Sequence, residues 1–192
     1  MSRLDLVVGP NGAGKSTFAR LVLGRQLPGA LFVNADLIAA ERWPDDPEPH
    51  AYEAARIAAA TRAALIEIGR PFIAETVFSH PSKLALIDRA QEAGYFVALH
   101  VLMVPEDLAV ARVAARVRHG GHAVPEIKIR ERCHRLWPLV ALAAQRTSSA
   151  AFWDNSTLDG PESVAVLVEG QLVAPPAWPS WAPSLLAERW AA

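Results

Sequence analysis

The sequence predicts an α/β protein of three layers, with a mostly parallel sheet and helices on both faces. Three observations predict it. Short apolar runs alternate with longer helical patterns along the 192 residues. The first apolar run, Leu4 to Val8, passes directly into a glycine-rich loop. A later run, Phe96 to Val104, is apolar throughout except His100, as a strand buried on both faces is.

The elements follow in order. Leu4 to Val8 is a strand interrupted only by Asp5 and ended by Gly9-Pro10. A helix is expected from Lys15 to about Gly24, then a short strand from Leu31 to Asn34. Asp46-Pro47 supplies an N-cap with proline at the first helical position. The helix that follows reaches Gly69, with Tyr52, Ala55, Ala59, Ala63 and Ile66 on one face. Phe72 to Ala74 is a strand closed by Glu75-Thr76. Pro81 to Ala93 is helical, Phe96 to Val104 extended, and Pro105 opens a helix running to Gly120-Gly121. Another helix starts near Pro125. Ala150 to Asp154 is the last core strand, and Val164 to Val168 with Leu172-Val173 suggests a hairpin around Glu169-Gly170. We expect one domain over residues 1–174, with an arginine-rich lid region near 112–132. The Pro/Trp-rich tail of residues 175–192 is expected to pack on it.

Composition narrows the class. The chain is 52% hydrophobic and 20% charged, which fits a globular fold, and its net charge of −1 gives no global pull toward nucleic acid or membrane. Cys133 is the single cysteine, so an internal disulfide is excluded. The N-terminal MSRLDLVV lacks the long apolar region of a signal peptide, and no apolar run suffices to span a bilayer. A cytoplasmic location is therefore expected. Lys15, Lys83 and Lys128 are the only lysines beside 16 arginines.

Gly9-Pro10-Asn11-Gly12-Ala13-Gly14-Lys15-Ser16 fits G-x-x-x-x-G-K-[ST] between a strand and a helix. Glycines there let backbone N–H groups converge on phosphate oxygens without side-chain clashes, and the helix N-terminus adds positive potential. Lys15 reaches the β- and γ-phosphates and the Ser16 hydroxyl ligates magnesium. Residues Gly9 to Thr17 are the expected binding loop for ATP and Mg²⁺, and the fold class becomes a P-loop kinase-like sandwich. The loop's wording also occurs in transporter ATPases, but their signature segment is missing. The guanine-reading Asn-Lys-x-Asp of GTPases is missing too. A short chain without a coupling domain favours a kinase for a small hydroxylated molecule.

Asp36, after the second strand, can accept the proton of a substrate hydroxyl; it equally suits an N-cap for Leu37 to Glu41. Asp45 and Asp46 read better as turn and cap residues. Glu75 and Thr76 close the third strand at the carboxyl edge, where they either meet substrate or a magnesium-bound water, or form a solvated strand end. Ser79 and His80 are weaker candidates in the same loop. Arg112 and Arg116 share a helix face, and with Arg118 they lack local carboxylates, so they suit phosphate oxygens; a solvated basic face is the alternative. Gly120-Gly121 would serve such a segment as a hinge. Asn155, at the end of the last core strand, either helps frame adenine or makes ordinary turn contacts. His119 and His122 lack a third ligand and read as surface imidazoles. His100 reads as a core histidine.

Together the P-loop, Asn34-Ala35-Asp36, Glu75-Thr76 and the stretch VAARVRHGGHAVPEIKIRERC resemble the zeta-toxin family of P-loop kinases, in its compact branch, over roughly residues 4–156. By that resemblance Asp36 is the general base and Lys15 with Ser16 holds ATP-Mg. Glu75 and Thr76 contact substrate, while Arg112 and Arg116 contact the phosphates. The family characteristically phosphorylates the 3′-hydroxyl of UDP-N-acetylglucosamine and is silenced by a small helical antitoxin obstructing the ATP site. The chain departs from longer members at their second lid arginine, whose nearest counterpart here is His122, with Arg130 further on. Other acceptors, such as an antibiotic, a nucleoside or another sugar, stay open. So does a nucleotide-gated binding module docking through Trp178, Trp181 and Trp190, which otherwise simply cover the core.

Overall fold

A computed structural model of the chain describes residues 2–119 and 123–191. Gly120, Gly121 and His122, named above as a hinge and a surface imidazole, lie outside the described residues. The described strands form a seven-stranded sheet in the order β2-β3-β1-β4-β5-β6-β7. These are β1 (Arg3–Val8), β2 (Leu31–Val33), β3 (Phe72–Thr76), β4 (Phe96–Met103), β5 (Ser149–Asp154), β6 (Glu162–Val168) and β7 (Gln171–Leu172). The first five pair in parallel, while β6 and β7 pair antiparallel. Central β1 is buried from Leu4 onward, because helices cover both faces of a parallel sheet.

The two faces carry separate cores. On one, Leu4, Leu6 and Val8 of β1 and Val97, Leu99 and Val101 of β4 pack with α4 (Ala51–Glu67), α5 (Ser82–Glu92) and the C-terminal half of α7 (Glu126–Arg146). On the other, Val7, Ile73 and Leu102 pack with Phe18, Ala19 and Leu23, with Ala109 and Val113 of α6 (Glu106–Arg118), and with Ile129 and Cys133 of α7. Burial pushes the Cys133 thiol up to about 11. The period-2 alternation of β1 and β4 divides the two clusters. No helix among the described residues is long and apolar enough to cross a membrane.

The helix after the loop is less regular than its sequence suggests. α1 (Lys15–Phe18) runs into a π-helical turn, Ala19–Leu23, and then α2 (Gly24–Gln26). The expected helix from Pro47 starts only at Ala51. Pro49 lacks an N–H and biases Glu48 away from helical dihedrals, so two prolines in three residues delay the first regular turn. The expected buried face is also displaced. Tyr52 is 78% exposed, and the buried stripe is Ala54, Ala58, Arg62, Leu65 and Ile66. An alanine-rich helix has little periodic contrast, and an arginine among the buried positions hides the true stripe.

The tail packs on the first core. Trp178 and Trp190 pack against Phe152, with ring centroids at 5.3 and 5.6 Å. Trp178 Nε1 donates to the Trp190 carbonyl at 3.2 Å. Trp190 caps α8 (Ser184–Arg189), whose Leu186 is fully buried. Trp181 is partly buried against the same cluster. The tryptophans thus cover the core, with Trp178 and Trp181 only partly buried.

Asp5, the polar interruption in β1, is fully buried. Its carboxylate accepts from Arg3 Nε at 2.7 Å, from Arg3 Nη2 at 2.8 Å and from His100 Nε2 at 2.9 Å. Burial pushes its pKa up, but the Arg3 and His100 bonds outweigh this and hold it below the usual range. A depressed carboxyl contributes stability that is complete above the unfolded value, about 3.9, and is lost as pH falls through the folded one. Thermal melts of the wild type are therefore expected to lose stability below about pH 4. Asp5→Asn should be destabilised by about 2 kcal/mol at neutral pH and should show a flatter acid profile. An unchanged profile would remove Asp5 from this account.

Candidate active site

The phosphate loop lies at the carboxyl ends of β1 and β3, where parallel sheets leave a crevice. Gly12 and Gly14 adopt φ of +79° and +83°. A Cβ on Gly12 would sit 2.7 Å from the Ala109 carbonyl oxygen, and one on Gly14 would sit 2.5 Å from Asn155 Nδ2. Both positions therefore require glycine for conformation and for space. Asn155 props the loop from behind: its Nδ2 donates to the Ala13 carbonyl at 2.8 Å, and its N–H to Met103 O at 3.0 Å. Arg112 Nη1 donates to the Asn155 carbonyl at 2.8 Å and Nη2 to the Ser156 carbonyl at 3.3 Å. A chain of bonds thus links α6, the end of β5 and the loop.

Lys15 is only 7% exposed. Its Nζ donates to the Pro10 carbonyl at 2.9 Å and stands 3.9 Å from Glu75 Oε1. Burial pushes its pKa down; Glu75 and Asp36 oppose this, Arg116 reinforces it, and the net shift is downward. The carboxylate of Glu75 thus offsets only part of the cost of burying this ammonium. Ser16 Oγ donates to Glu75 Oε2 at 2.8 Å, and Asn34 Nδ2 donates to the same oxygen. The Ser16 hydroxyl and the Glu75 carboxylate form an all-oxygen pair that fits a hard divalent cation. No cluster of three or more His, Cys, Asp or Glu side chains suited to a metal occurs among the described residues. A cation here would complete its shell with phosphate oxygens and water.

Asp36 had two readings, and the helix cap separates them. The N-cap of α3 (Ala35–Arg42) is Asn34, whose Oδ1 accepts from the N–H of Asp36 at 2.7 Å and of Leu37 at 3.1 Å. Asp36 sits within the first turn, exposed, with its carboxylate spared from capping. It lines a cavity of about 590 Å³ together with Asn11, Gly12, Gly14, Lys15, Ser16 and Thr17. Glu75, Thr76, Arg112 and Arg116 line the same cavity. Thr76 Oγ1 also accepts from the N–H of Phe78 at 3.2 Å. Phe78 is fully buried at φ +64°, a strained turn for a bulky residue, and Val77 and Ser79 beside it enter the cavity wall.

The structure does not bring every expected residue to the cavity. Gly9, Pro10 and Ala13 shape the loop from outside its lining, Arg118 is exposed at the end of α6, and Asn155 faces Ala13. Arg112 reaches the cavity while its guanidinium is held by two backbone carbonyls. Arg130 is drawn away into ion pairs with Glu106, Asp107 and Glu126. His119 Nδ1 donates to the Ala115 carbonyl at 2.9 Å, as a helix-end contact. Sequence reasoning missed Arg132, which lines the cavity with Nη1 3.4 Å from Asn11 Oδ1. Its signal was its place three residues after buried Ile129, on the inward flank of α7. Asn34, Arg62 and Lys83 were also missed.

Residues 4–139 match the family described as AAA domain. This chain belongs to the AAA domain family. Its fold is shared with solved structures of low sequence identity. A chain of the AvrRxo1-ORF1:AvrRxo1-ORF2 complex with sulphate ions superposes at a TM-score of 0.67 and 16% identity, covering 100% of this AAA domain protein and 64% of that chain. The same complex with ATP gives 0.62 and 15%, with coverage of 100% and 64%. A chain of the PezAT chromosomal toxin-antitoxin system of Streptococcus pneumoniae gives 0.66 and 15%, covering 86% of this chain and 71% of that one. The AAA domain protein thus spans less than two thirds of the AvrRxo1 complex chain it matches. No curated protein matches it. The P-loop α/β sandwich implied by the zeta-toxin resemblance is the fold observed.

Proposed function

We propose that this AAA domain protein is an ATP-dependent kinase that moves the γ-phosphate onto a hydroxyl of a small molecule. One observation carries the reading: Asp36, freed from capping by Asn34, lines the same cavity as the Lys15–Ser16–Glu75 cluster. The likeness in fold to a chain solved in complex with ATP supports the choice of nucleotide.

In this reading the backbone of residues 9–16 and Lys15 hold the triphosphate. Ser16 and Glu75 would hold magnesium, which would supply charge neutralisation at the phosphates. Asp36 orients the acceptor hydroxyl and takes its proton as the oxygen attacks the γ-phosphorus, while the bond to the β–γ bridging oxygen breaks and ADP leaves. Thr76 and Ser79 line the acceptor side. Arg116 and Arg132 face the phosphates, where planar donors match equatorial oxygens. Arg112 positions Asn155 and the loop.

UDP-N-acetylglucosamine is the first acceptor to test, with other sugars, nucleosides and hydroxylated antibiotics beside it. The likeness in fold to a chain of a toxin-antitoxin system also supports a protein partner. Incubation with ATP, Mg²⁺ and such a panel should add one phosphoryl group to an acceptor, read by mass spectrometry. Nucleotide hydrolysis without any such product would contradict the reading. Arg116→Ala should lower kcat about 100-fold with ATP affinity changed far less. Wild-type turnover in that variant would place Arg116 among surface charges.

A further inference from the structure

Six cationic side chains line the cavity, Lys15, Arg62, Lys83, Arg112, Arg116 and Arg132, against two acidic ones, Asp36 and Glu75. A magnesium-neutralised triphosphate balances only part of that excess. The cations also fall into two groups. Lys15, Arg112, Arg116 and Arg132 come from the loop and from α6 and α7, whose buried residues there join the second core. Arg62 and Lys83 come from α4 and α5, which pack on the opposite face of the sheet.

Arg62 is the unusual member. It is only 7% exposed, yet it forms no ion pair or hydrogen bond with any described residue. It occupies a buried position in α4 and lines the cavity, so its charge is partly desolvated and without a carboxylate partner among the described residues. Burial lowers its affinity for a proton, and Lys83 is lowered first by burial and then by Arg62 itself. Two like charges sharing a half-dry corner without an acid mark a place prepared for an anion. Ser79, on the strained turn after β3, adds a hydroxyl to the same wall.

We propose that Arg62 and Lys83 form an anion-binding corner for a phosphate or diphosphate group carried by the acceptor, apart from the hydroxyl that is phosphorylated. This rests on the kinase reading and specifies its substrate class: phosphorylated alcohols rather than neutral ones. Arg62 supplies planar donors to two phosphate oxygens, and Lys83 supplies a mobile point charge.

The test uses the whole protein saturated with magnesium and a non-transferring ATP analogue, so that the phosphate loop is filled. Inorganic phosphate is then titrated by calorimetry. The wild type should bind it in the millimolar range, and Arg62→Gln and Lys83→Gln should each weaken it about tenfold or more, with the affinity for the analogue within about twofold. Lys83 is only half-buried, so its variant reads the corner even where a change at Arg62 disturbs the fold. Repeating the titration with ribose 5-phosphate and with UDP-glucose separates a terminal monoester from an internal diphosphate. Any gain of either over inorganic phosphate should vanish in Arg62→Gln. In the ligand-free protein, Arg62→Met should melt no lower than the wild type, since it removes a partly desolvated charge that has no carboxylate partner among the described residues. A merely structural arginine would show the reverse, a lower Tm and intact phosphate binding. Absence of phosphate binding to the analogue-loaded wild type, or wild-type phosphate affinity in both glutamine variants, overturns the corner alone. Failure of the analogue itself to bind overturns the kinase reading and takes this inference with it.

Discussion

Asp36→Asn is expected to lower phosphoryl transfer about 1,000-fold while ATP affinity stays within about twofold. The substitution keeps the shape of the side chain and removes its negative charge together with its capacity to accept a proton. It leaves the fold intact for a definite reason: the N-terminus of α3 is capped by Asn34, whose Oδ1 serves the N–H groups of both Asp36 and Leu37. The Asp36 side chain makes no hydrogen bond among the described residues, so its charge acts on the fold only through its field at Lys15. Steady-state kinetics beside a nucleotide-binding titration separates the effects. Parallel loss of transfer and ATP binding would mean that Asp36 organises the nucleotide site, and full activity would remove it from the chemistry. The complementary variant, Asn34→Ala, should lose about 1 kcal/mol of stability through the missing cap.

Lys15→Met is expected to lower kcat/KM for ATP at least about 100-fold and to abolish the rise in Tm that ATP produces in the wild type. The Lys15 ammonium is buried beside a neutral carbonyl, with Glu75 3.9 Å away. Its depressed pKa means that the charged form is held against a desolvation cost in the ligand-free protein. Below the folded pKa that cost is fully present, and a neutral side chain of similar length removes it. The ligand-free variant should therefore melt no lower than the wild type. Unchanged ATP affinity would contradict the phosphate contact, and a collapsed Tm would show that Lys15 is chiefly structural.

Both predictions draw on different depths of legibility. The loop was readable because its requirements are local. Gly12 and Gly14 need positive φ and an absent Cβ, and Lys15 and Ser16 follow at fixed offsets on the first helical turn. The mostly parallel sheet was readable as a class because continuous apolar runs mean burial on both faces. The start of α4 was misread where two prolines compete with a plausible cap, and its buried face was misread where an arginine stands in the stripe. Arg130 and Arg132 differ by two positions, yet one is spent on Glu106, Asp107 and Glu126 while the other faces the loop. The order of residues alone does not distinguish them, since side chains two apart on a helix point in different directions.

By itself, the sequence determined the α/β class, the phosphate loop and the carboxylates at the sheet edge, because each rests on neighbours within a few residues. Only the tertiary structure decided which of Asn34 and Asp36 caps α3, that Asn155 braces the loop, and that Arg62 and Lys83 share a cavity with Asp36. Those outcomes depend on how helices from opposite faces of the sheet converge over its carboxyl edge. That convergence is set by the packing of two cores, through contacts between residues far apart in the chain.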